Sequence, residues 1–157
     1  MKNKFILYAL MFVAALLIPG CSAKQSDLDK IQLQTLDGLP IDMNDFKGKT
    51  VFINFWATWC KPCIMEMPTI AQAKEQLNGK NVVFLFPSNE SVDLITDFKE
   101  KRNFDFNYVQ VQNMEALNIQ ALPTTMIFNT EGELVFSEMG FRDWSTPENL
   151  ALITSNK

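Results

Sequence analysis

The sequence predicts an α/β domain in which a central mixed β-sheet is flanked by helices. Two apolar runs without polar alternation, at 51–56 and 82–86, are typical of strands buried on both faces of a sheet. A segment with apolar residues at helical spacing follows each run. The last two predicted strands, at 124–128 and 133–136, are joined by a short turn and predict a hairpin. Strands that alternate with helices and then close in a hairpin suit a mixed sheet covered on both faces.

The predicted elements follow one another with short connections. Near the N-terminus, a half-exposed strand at 31–35 and a returning strand at 41–43 flank an Asp-Gly turn, which predicts an N-terminal β-hairpin extension. The remaining predicted elements are, in order, the strand at 51–56, a helix from 60 to a stop at 78–81, the strand at 82–86, a helix from 92 to about 102, a short strand at 105–111, a brief helix at 113–118, the hairpin at 121–136 and a terminal helix capped at 146–148.

The composition fits one ordinary domain with enough apolar residues for a core. The chain has 157 residues, of which 47% are hydrophobic and 20% charged, and its net charge is −4. Beyond the first few residues there is no basic stretch, so we expect no nucleic-acid partner. The chain contains no His, which excludes Ser-His-Asp and Cys-His catalysis and the usual metal-ligand sets. We therefore expect neither a metal nor a cofactor.

The first residues are similar to the signal peptide of a bacterial lipoprotein. Two Lys precede an apolar stretch at 5–18 that is too short for a comfortable transmembrane helix. The stretch ends in Leu-Ile-Pro-Gly before Cys21, which resembles a lipobox and predicts that Cys21 is lipidated. We therefore expect a signal peptide at 1–20, a lipidated cysteine and polar tether at 21–29, and the folded domain at 30–157.

The alternative is an ordinary cleaved signal peptide with a chance cysteine at position 21. An unpaired, exposed cysteine in an oxidising compartment is a liability, which favours lipidation. Several acyl chains on one residue would make a stable anchor. We therefore expect a cell-envelope protein, lipid-anchored to a bacterial membrane, with its domain in the periplasm or extracytoplasmic space.

Two cysteines lie where the central strand gives way to the following helix. The segment at 54–68 reads Asn-Phe-Trp-Ala-Thr-Trp-Cys-Lys-Pro-Cys-Ile-Met-Glu-Met-Pro. Cys60 lies closer to the open helix N-terminus, where partial positive charge and the neighbouring Lys61 stabilise a thiolate. Cys60 is the candidate nucleophile and Cys63 the candidate resolving thiol, because such a pair can form and reopen a disulfide. A structural zinc site needs four Cys or His ligands, which this chain lacks.

These residues carry a resemblance to a known family. Trp59-Cys60-Lys61-Pro62-Cys63 after a buried strand resembles the thioredoxin superfamily, and Cys63-Ile64-Met65-Glu66-Met67-Pro68 narrows the resemblance to its membrane-tethered TlpA/ResA-like thiol-disulfide oxidoreductases. The resemblance covers roughly residues 28–155 and implies a thioredoxin-like fold, with the N-terminal hairpin added in front of the core. It also implies reduction of disulfides in envelope proteins, apocytochrome c among them, with electrons from an integral membrane thiol reductase. We expect a monomer.

Glu66 is the candidate proton carrier. It lies three residues after Cys63, so on a helix the two side chains share a face. A partly desolvated carboxylate there would have a raised pKa and could exchange protons with the cysteines, which is the role the resemblance implies. The alternative is a solvated helix Glu. The resemblance favours the catalytic role, as does Asn54, which stands where cytoplasmic thioredoxins have a buried Asp.

Pro123 matches the cis-proline of the superfamily, in Leu122-Pro123-Thr124. The resemblance implies that it packs against the cysteines and leaves the Leu122 backbone to pair with a substrate strand. The alternative is an ordinary trans proline at the start of a strand. We assign Leu122 and Pro123 to substrate binding, together with Trp59 and Pro62 beside the nucleophile.

Trp56 and Phe141 are two further aromatic residues that could line a peptide groove with Trp59. Two other functions also stay open. Cys60 and Cys63, with Met65 or Met67, could hold Cu(I) in a thioredoxin-fold metallochaperone, since Cu(I) favours soft ligands. The missing His argues against that reading. The last possibility is an adhesion or assembly lipoprotein with an idle cysteine pair.

Overall fold

The computed structural model describes residues 26–155 of the chain. Its strands and α-helices are β1 (Leu33–Gln34), β2 (Thr50–Phe55), α1 (Lys61–Gln76), β3 (Val82–Ser88), α2 (Val92–Lys101), β4 (Asn107–Val111), β5 (Thr124–Phe128), β6 (Leu134–Met139) and α3 (Pro147–Thr154). Short 3₁₀ turns lie at Leu28–Lys30, Met43–Phe46 and Met114–Leu117. The described residues thus contain the long predicted elements, with ends that differ by a few residues.

The strands form one mixed sheet with the order β1-β4-β3-β2-β5-β6. β2, β3 and β4 run parallel to one another. β1 joins β4 antiparallel, and β5 and β6 follow β2 as an antiparallel pair. β2 is therefore central, and all six of its residues are buried, as its unbroken apolar run predicts.

Side chains alternate across β2, so the sheet separates two apolar clusters. Phe52 and Trp56 belong to the first cluster, which contains residues from α1, α2 and α3. Val51, Ile53 and Phe55 belong to the second, which is covered by the N-terminal segment and the 3₁₀ turns. Both faces are thus covered, but among the described residues the α-helices all pack into the first cluster.

Only part of the predicted N-terminal hairpin forms. β1 is only two residues long, and the returning segment contributes a single bridge, between Gln34 and Pro40, instead of a strand at 41–43. Pro40 has no N–H with which to extend a ladder. The Asp42 side chain then accepts a hydrogen bond from the Asn44 N–H and starts the 3₁₀ turn Met43–Phe46.

The last residues of the predicted tether belong to the domain. Leu28 is buried, and its N–H donates to the Gly132 carbonyl at 2.9 Å. The Ser26 N–H donates to the Asp29 carboxylate at 2.9 Å. The domain therefore begins by Ser26 rather than at residue 30, because Leu28 supplies an apolar anchor that the polar residues around it conceal in the sequence.

None of the helices between residues 26 and 155 has the length and apolar content needed to cross a bilayer. The apolar stretch at 5–18 and Cys21, on which the signal-peptide and lipidation predictions depend, lie outside the described residues.

Candidate active site

The cysteine pair lies at the start of α1, immediately after the central strand. Cys60 is the N-cap of the helix, and Pro62 lies in its first turn. The Cys63 N–H donates to Cys60 Sγ at 3.2 Å, and the two sulfurs form a disulfide. Cys60 is 3% exposed and Cys63 0% exposed, so the first cysteine is the one closer to solvent, as predicted.

The loop before the cysteines is held by a carboxylate from another strand end. The Thr58 N–H and Oγ1 each donate to the Glu90 carboxylate at 2.7 Å. Ser88 Oγ, at the end of β3, donates to the same carboxylate at 3.2 Å. β3 neighbours β2, so its C-terminal end brings Glu90 under the loop. Sequence reasoning missed Glu90, which looks in the sequence like part of an ordinary helix-capping turn.

Glu66 lies on α1 one turn beyond Cys63, and its side chain is completely buried. Its Oε1 accepts from Trp144 Nε1 at 2.6 Å and from the Arg142 N–H at 3.2 Å. Its Oε2 accepts from Asn54 Nδ2 at 3.1 Å. Burial raises the pKa of Glu66 to about 7, and the hydrogen bonds from Trp144, Asn54 and Arg142 oppose that rise.

Asn54 connects Glu66 to β5, the strand that directly follows the predicted cis-proline. Asn54 Nδ2 also donates to Thr125 Oγ1, on β5, at 2.9 Å. Within residues 26–155, the buried Asn54 Oδ1 has no hydrogen-bond partner. The structure therefore places a polar group in the core whose donors are satisfied and whose acceptor is not, directly beside Glu66.

Residues 138–149, which we call the capping segment, run from the end of β6 into α3 and cover Glu66. The Trp144 N–H donates to Thr69 Oγ1 at 3.1 Å, and Thr69 Oγ1 donates to the Glu66 carbonyl at 2.8 Å. The Arg142 guanidinium donates to Asn149 Oδ1 at 2.7 Å and to the Glu138 carboxylate. Within this segment, sequence reasoning identified only the helix cap at 146–148 and Phe141 as a possible groove residue, so it missed Trp144 and Arg142.

The Leu122–Pro123 peptide bond is cis, as the resemblance implies. Pro123 is buried and directly precedes β5, whose residue Thr124 pairs with Phe55 at the end of β2. The Pro123 carbonyl accepts from the Gly140 N–H at 2.7 Å, so the capping segment is also attached here. Leu122 is half-buried. The topology thus brings the cis-proline to the C-terminal end of β2, where the cysteine loop begins.

The aromatic residues that were considered for a peptide groove differ in their exposure to solvent. Trp59 is 71% exposed and Phe141 50% exposed, so both can touch a partner, and Pro62 is also exposed. Trp56 is completely buried, and its Nε1 donates to the Phe86 carbonyl at 3.1 Å. The expectation that Trp56 lines a groove is wrong, because its side chain points into the first apolar cluster.

No group of three or more His, Cys, Asp or Glu residues that could hold a metal ion occurs between residues 26 and 155. The two methionines considered as copper ligands differ in environment. Met65 is 66% exposed, whereas Met67 is completely buried in the first apolar cluster. Of these two methionines, only Met65 is therefore accessible from solvent.

Comparison with known sequences gives a family match over most of the chain. The model of the AhpC/TSA family matches residues 10–137. Thiol-disulfide oxidoreductase ResA of Bacillus subtilis (strain 168) is 33% identical over 114 residues, which cover 70% of this chain and 64% of that protein. ResA of Geobacillus kaustophilus is 35% identical over 106 residues, which cover 65% and 61%. The chain thus spans less than two thirds of the length of these relatives.

Comparison with solved structures bears on the fold. A thiol:disulfide interchange protein of the thioredoxin family from Chlorobium tepidum superposes with a TM-score of 0.66 at 22% identity, over 78% of this chain and 91% of that one. The exposed lipoprotein thioredoxin Etrx1 of Streptococcus pneumoniae gives 0.63 at 22%, over 77% and 97%. These similarities confirm the predicted thioredoxin-like fold. The family model, which matches more than half of the chain, shows that the chain is a member of the AhpC/TSA family.

Proposed function

We propose that this protein is an extracytoplasmic thiol-disulfide oxidoreductase that reduces protein disulfides through Cys60 and Cys63. The observation that carries the proposal is the disulfide at the N-terminus of α1 with the buried carboxyl of Glu66 one turn beyond it. The relatives named thiol-disulfide oxidoreductase ResA support the same reaction class.

In the reduced protein the Cys60 thiolate attacks a disulfide of the substrate. The Cys60 Sγ–sulfur bond forms, and the first substrate sulfur leaves as a thiolate. The helix N-terminus favours the Cys60 thiolate, because unpaired N–H groups there carry partial positive charge. The Cys63 N–H, which lies 3.2 Å from Cys60 Sγ, adds a direct donor to that sulfur.

Cys63 then attacks Cys60 Sγ and releases the second substrate thiolate, which leaves the Cys60–Cys63 disulfide that the structure contains. The substrate gains two electrons and the dithiol loses them. Cys63 is completely buried and must lose its proton before it attacks. Glu66, whose pKa burial raises to about 7, can accept that proton near neutral pH and return it later.

The substrate groove lies around Trp59, Pro62, Leu122 and Pro123. The exposed Trp59 and the half-buried Leu122 can supply apolar contacts to a substrate. The backbone beside a cis-proline offers an extended segment with which a substrate strand can pair. Disulfide-containing envelope proteins, apocytochrome c among them, are the substrates that we propose, with an integral membrane thiol reductase as the electron donor.

The defining test uses a protein disulfide, with dithiothreitol as the reductant. Wild type should accelerate reduction over dithiothreitol alone, Cys60→Ser should not, and Cys63→Ser should accumulate a mixed disulfide with the substrate through Cys60. The control is the double variant Cys60→Ser/Cys63→Ser, which should form no adduct. Absence of both acceleration by wild type and adduct formation by Cys63→Ser would refute the proposal.

We further propose that Cys21 is lipidated and that the protein is membrane-anchored in the cell envelope. The lipobox-like sequence before Cys21 supports this, as does the description of the structurally similar pneumococcal protein as an exposed lipoprotein. Cys21→Ser should move the protein from the membrane fraction to the soluble fraction while disulfide reduction is retained. A variant that stays in the membrane fraction would show that residues other than a lipidated Cys21 hold it there.

A further inference from the structure

The two oxygens of the Glu66 carboxyl have different partners. Oε1 receives two hydrogen bonds, from Trp144 Nε1 at 2.6 Å and from the Arg142 N–H at 3.2 Å. An indole N–H and a backbone N–H can donate but cannot accept. Both lone pairs of Oε1 are thus engaged by donors, and a proton placed on this oxygen would displace one of them.

Oε2 differs because Asn54 Nδ2, at 3.1 Å, is its one hydrogen-bond donor among residues 26–155. A carboxyl oxygen has two lone pairs, so one remains for a proton. The neighbouring Asn54 Oδ1 is buried without a partner in the same part of the chain. If the amide of Asn54 turns over, Oδ1 faces Oε2 and can accept a hydrogen bond from a protonated Glu66. The surroundings of Oε2 therefore suit both charge states.

We propose that Trp144 is a positioning residue for Glu66: its indole N–H, with the Arg142 backbone N–H, fixes Oε1 and leaves Oε2 as the oxygen that takes up and releases the proton. The inference deepens the proposed function and rests on it for the role of that proton. Trp144 takes no part in the disulfide exchange itself and acts through Glu66.

The packing around Trp144 holds its ring in one orientation. Trp144 is 1% exposed, and its ring makes edge contacts with Phe52 at 4.8 Å and Phe136 at 5.9 Å between centroids. The Arg142 guanidinium lies 5.7 Å from the same ring. At its backbone, the Trp144 N–H is bonded to Thr69 Oγ1 on α1, the helix that carries Glu66. The indole N–H is thus preorganised toward Oε1.

The charged groups near Glu66 leave it as the group that titrates around neutral pH. The capping segment contributes the Arg142 guanidinium, which is paired with Glu138, and the exposed Asp143, whose pKa is lowered by hydrogen bonds from Ser145. α1 contributes Cys60 and Cys63, which cannot titrate while they form the disulfide. β2 and β5 contribute the neutral Asn54 and Thr125, and the chain has no His.

The direct test follows the indole N–H signals by NMR. The chain has three Trp and hence three such signals, assigned by their loss in Trp144→Phe, Trp56→Phe and Trp59→Phe. In the oxidised full chain, kept in detergent solution, the Trp144 signal should shift between pH 5 and 9 with a midpoint near the Glu66 pKa of about 7. The signal of Trp56, bonded to the Phe86 carbonyl, should stay constant.

The Trp144 shift should disappear in Glu66→Gln. A Trp144 signal that is flat across the pH range, or that titrates equally in Glu66→Gln, would overturn the inference. This measurement needs no disulfide substrate, so it distinguishes failure of the inference from failure of the proposed function. It also does not depend on a well-folded Trp144 variant, because the shift is read in the wild type and in Glu66→Gln, and the signals lost in Trp56→Phe and Trp59→Phe leave the third to Trp144.

Trp144→Phe then tests the functional consequence. Phe keeps an apolar ring in the site but removes the N–H, which stabilises the charged form of Glu66. The midpoint of the Glu66 carboxyl ¹³C signal, and that of kcat/KM for disulfide reduction, should both rise by about one pH unit. Trp56→Phe removes an equally buried indole N–H that is bonded to the Phe86 carbonyl and not to Glu66, and it should leave the carboxyl midpoint unchanged. An unchanged midpoint in Trp144→Phe would show that Trp144 only packs.

Discussion

At the scale of single residues, two opposing effects act on the pKa of Glu66. Complete burial removes water from the carboxylate and raises its pKa, while three donors from Trp144, Asn54 and Arg142 stabilise the charge. Burial is the larger effect, and the pKa rises to about 7. A carboxyl that titrates there is suited to proton transfer at neutral pH, whereas an ordinary Glu, with a pKa of about 4.3, would stay ionised.

Replacing Glu66 with Gln should therefore slow disulfide reduction. The change keeps the size of the side chain and removes its ionisation, so the fold should survive while Cys63 loses the proton acceptor that we propose for it. We expect kcat/KM to fall by about 10²-fold, the low end of what acid–base groups contribute. The wild-type profile should rise with pH through about 7, since the ionised form accepts the proton, and this rise should be absent in Glu66→Gln.

The control for that measurement is Glu75→Gln on the exposed side of α1. It removes one carboxylate from the same helix without touching the buried network, and its profile should match the wild type. The apparent midpoint belongs to Glu66 together with the cysteines, because interacting groups titrate as a set. If Glu66→Gln also matches the wild type, the proton comes from water or from another group.

Some of these residues could be predicted from the sequence and others could not, for a physical reason. The placement of Cys60 at a helix start and of Glu66 one turn beyond Cys63 follows from local spacing. Trp144 is 78 positions from Glu66, and Glu90 is 32 positions from Thr58. Those contacts are created by the order of the strands, which no local pattern in the sequence specifies.

At the scale of elements, the strength of the apolar pattern separates the accurate predictions from the inaccurate ones. β2 and β3, predicted at 51–56 and 82–86, occur as Thr50–Phe55 and Val82–Ser88, because β2 is fully and β3 mostly buried and both contain apolar runs. The returning strand predicted at 41–43 does not form. There, Pro40 and the side chain of Asp42 favour a turn, and local hydrogen bonds override a weak strand pattern.

The capping segment is the element that sequence reasoning described least well. It has no periodic apolar pattern, yet it connects β6 to α3 and hydrogen-bonds to α1 and to Pro123. Its order comes from side-chain contacts made by Arg142 and Trp144 rather than from backbone propensity. A loop that is held in this way can determine the properties of a site as strictly as a helix does.

At the scale of the whole molecule, the topology separates the site from the start of the domain. The cysteines follow the C-terminal end of β2, and β5 runs antiparallel to β2, so Pro123 lies at that same end of the sheet. The β5–β6 turn at Gly132 lies at the opposite end, and Leu28 is hydrogen-bonded there. An anchor attached before Ser26 would therefore join the domain at the end away from the disulfide.

The folded state as a whole should also respond to the proton on Glu66. In the unfolded chain this group has a pKa of about 4.3, and burial raises the pKa to about 7 in the fold. Between these values the folded protein holds a proton that the unfolded chain has released, so the free energy of unfolding falls as pH rises through this window. Below it both states are protonated, and above it the fold carries the full cost of a buried carboxylate.

A comparison of wild type with Glu66→Gln isolates this contribution, because the other carboxylates titrate alike in both proteins. Between pH 4 and 8, the free energy of unfolding of the wild type should fall by about 3 kcal/mol relative to that of Glu66→Gln, since each pKa unit corresponds to about 1.4 kcal/mol. Urea denaturation of the oxidised proteins at intervals across this range measures it. Parallel curves for the two proteins would mean that Glu66 does not keep its proton in the fold, and that the donors from Trp144, Arg142 and Asn54 outweigh its burial.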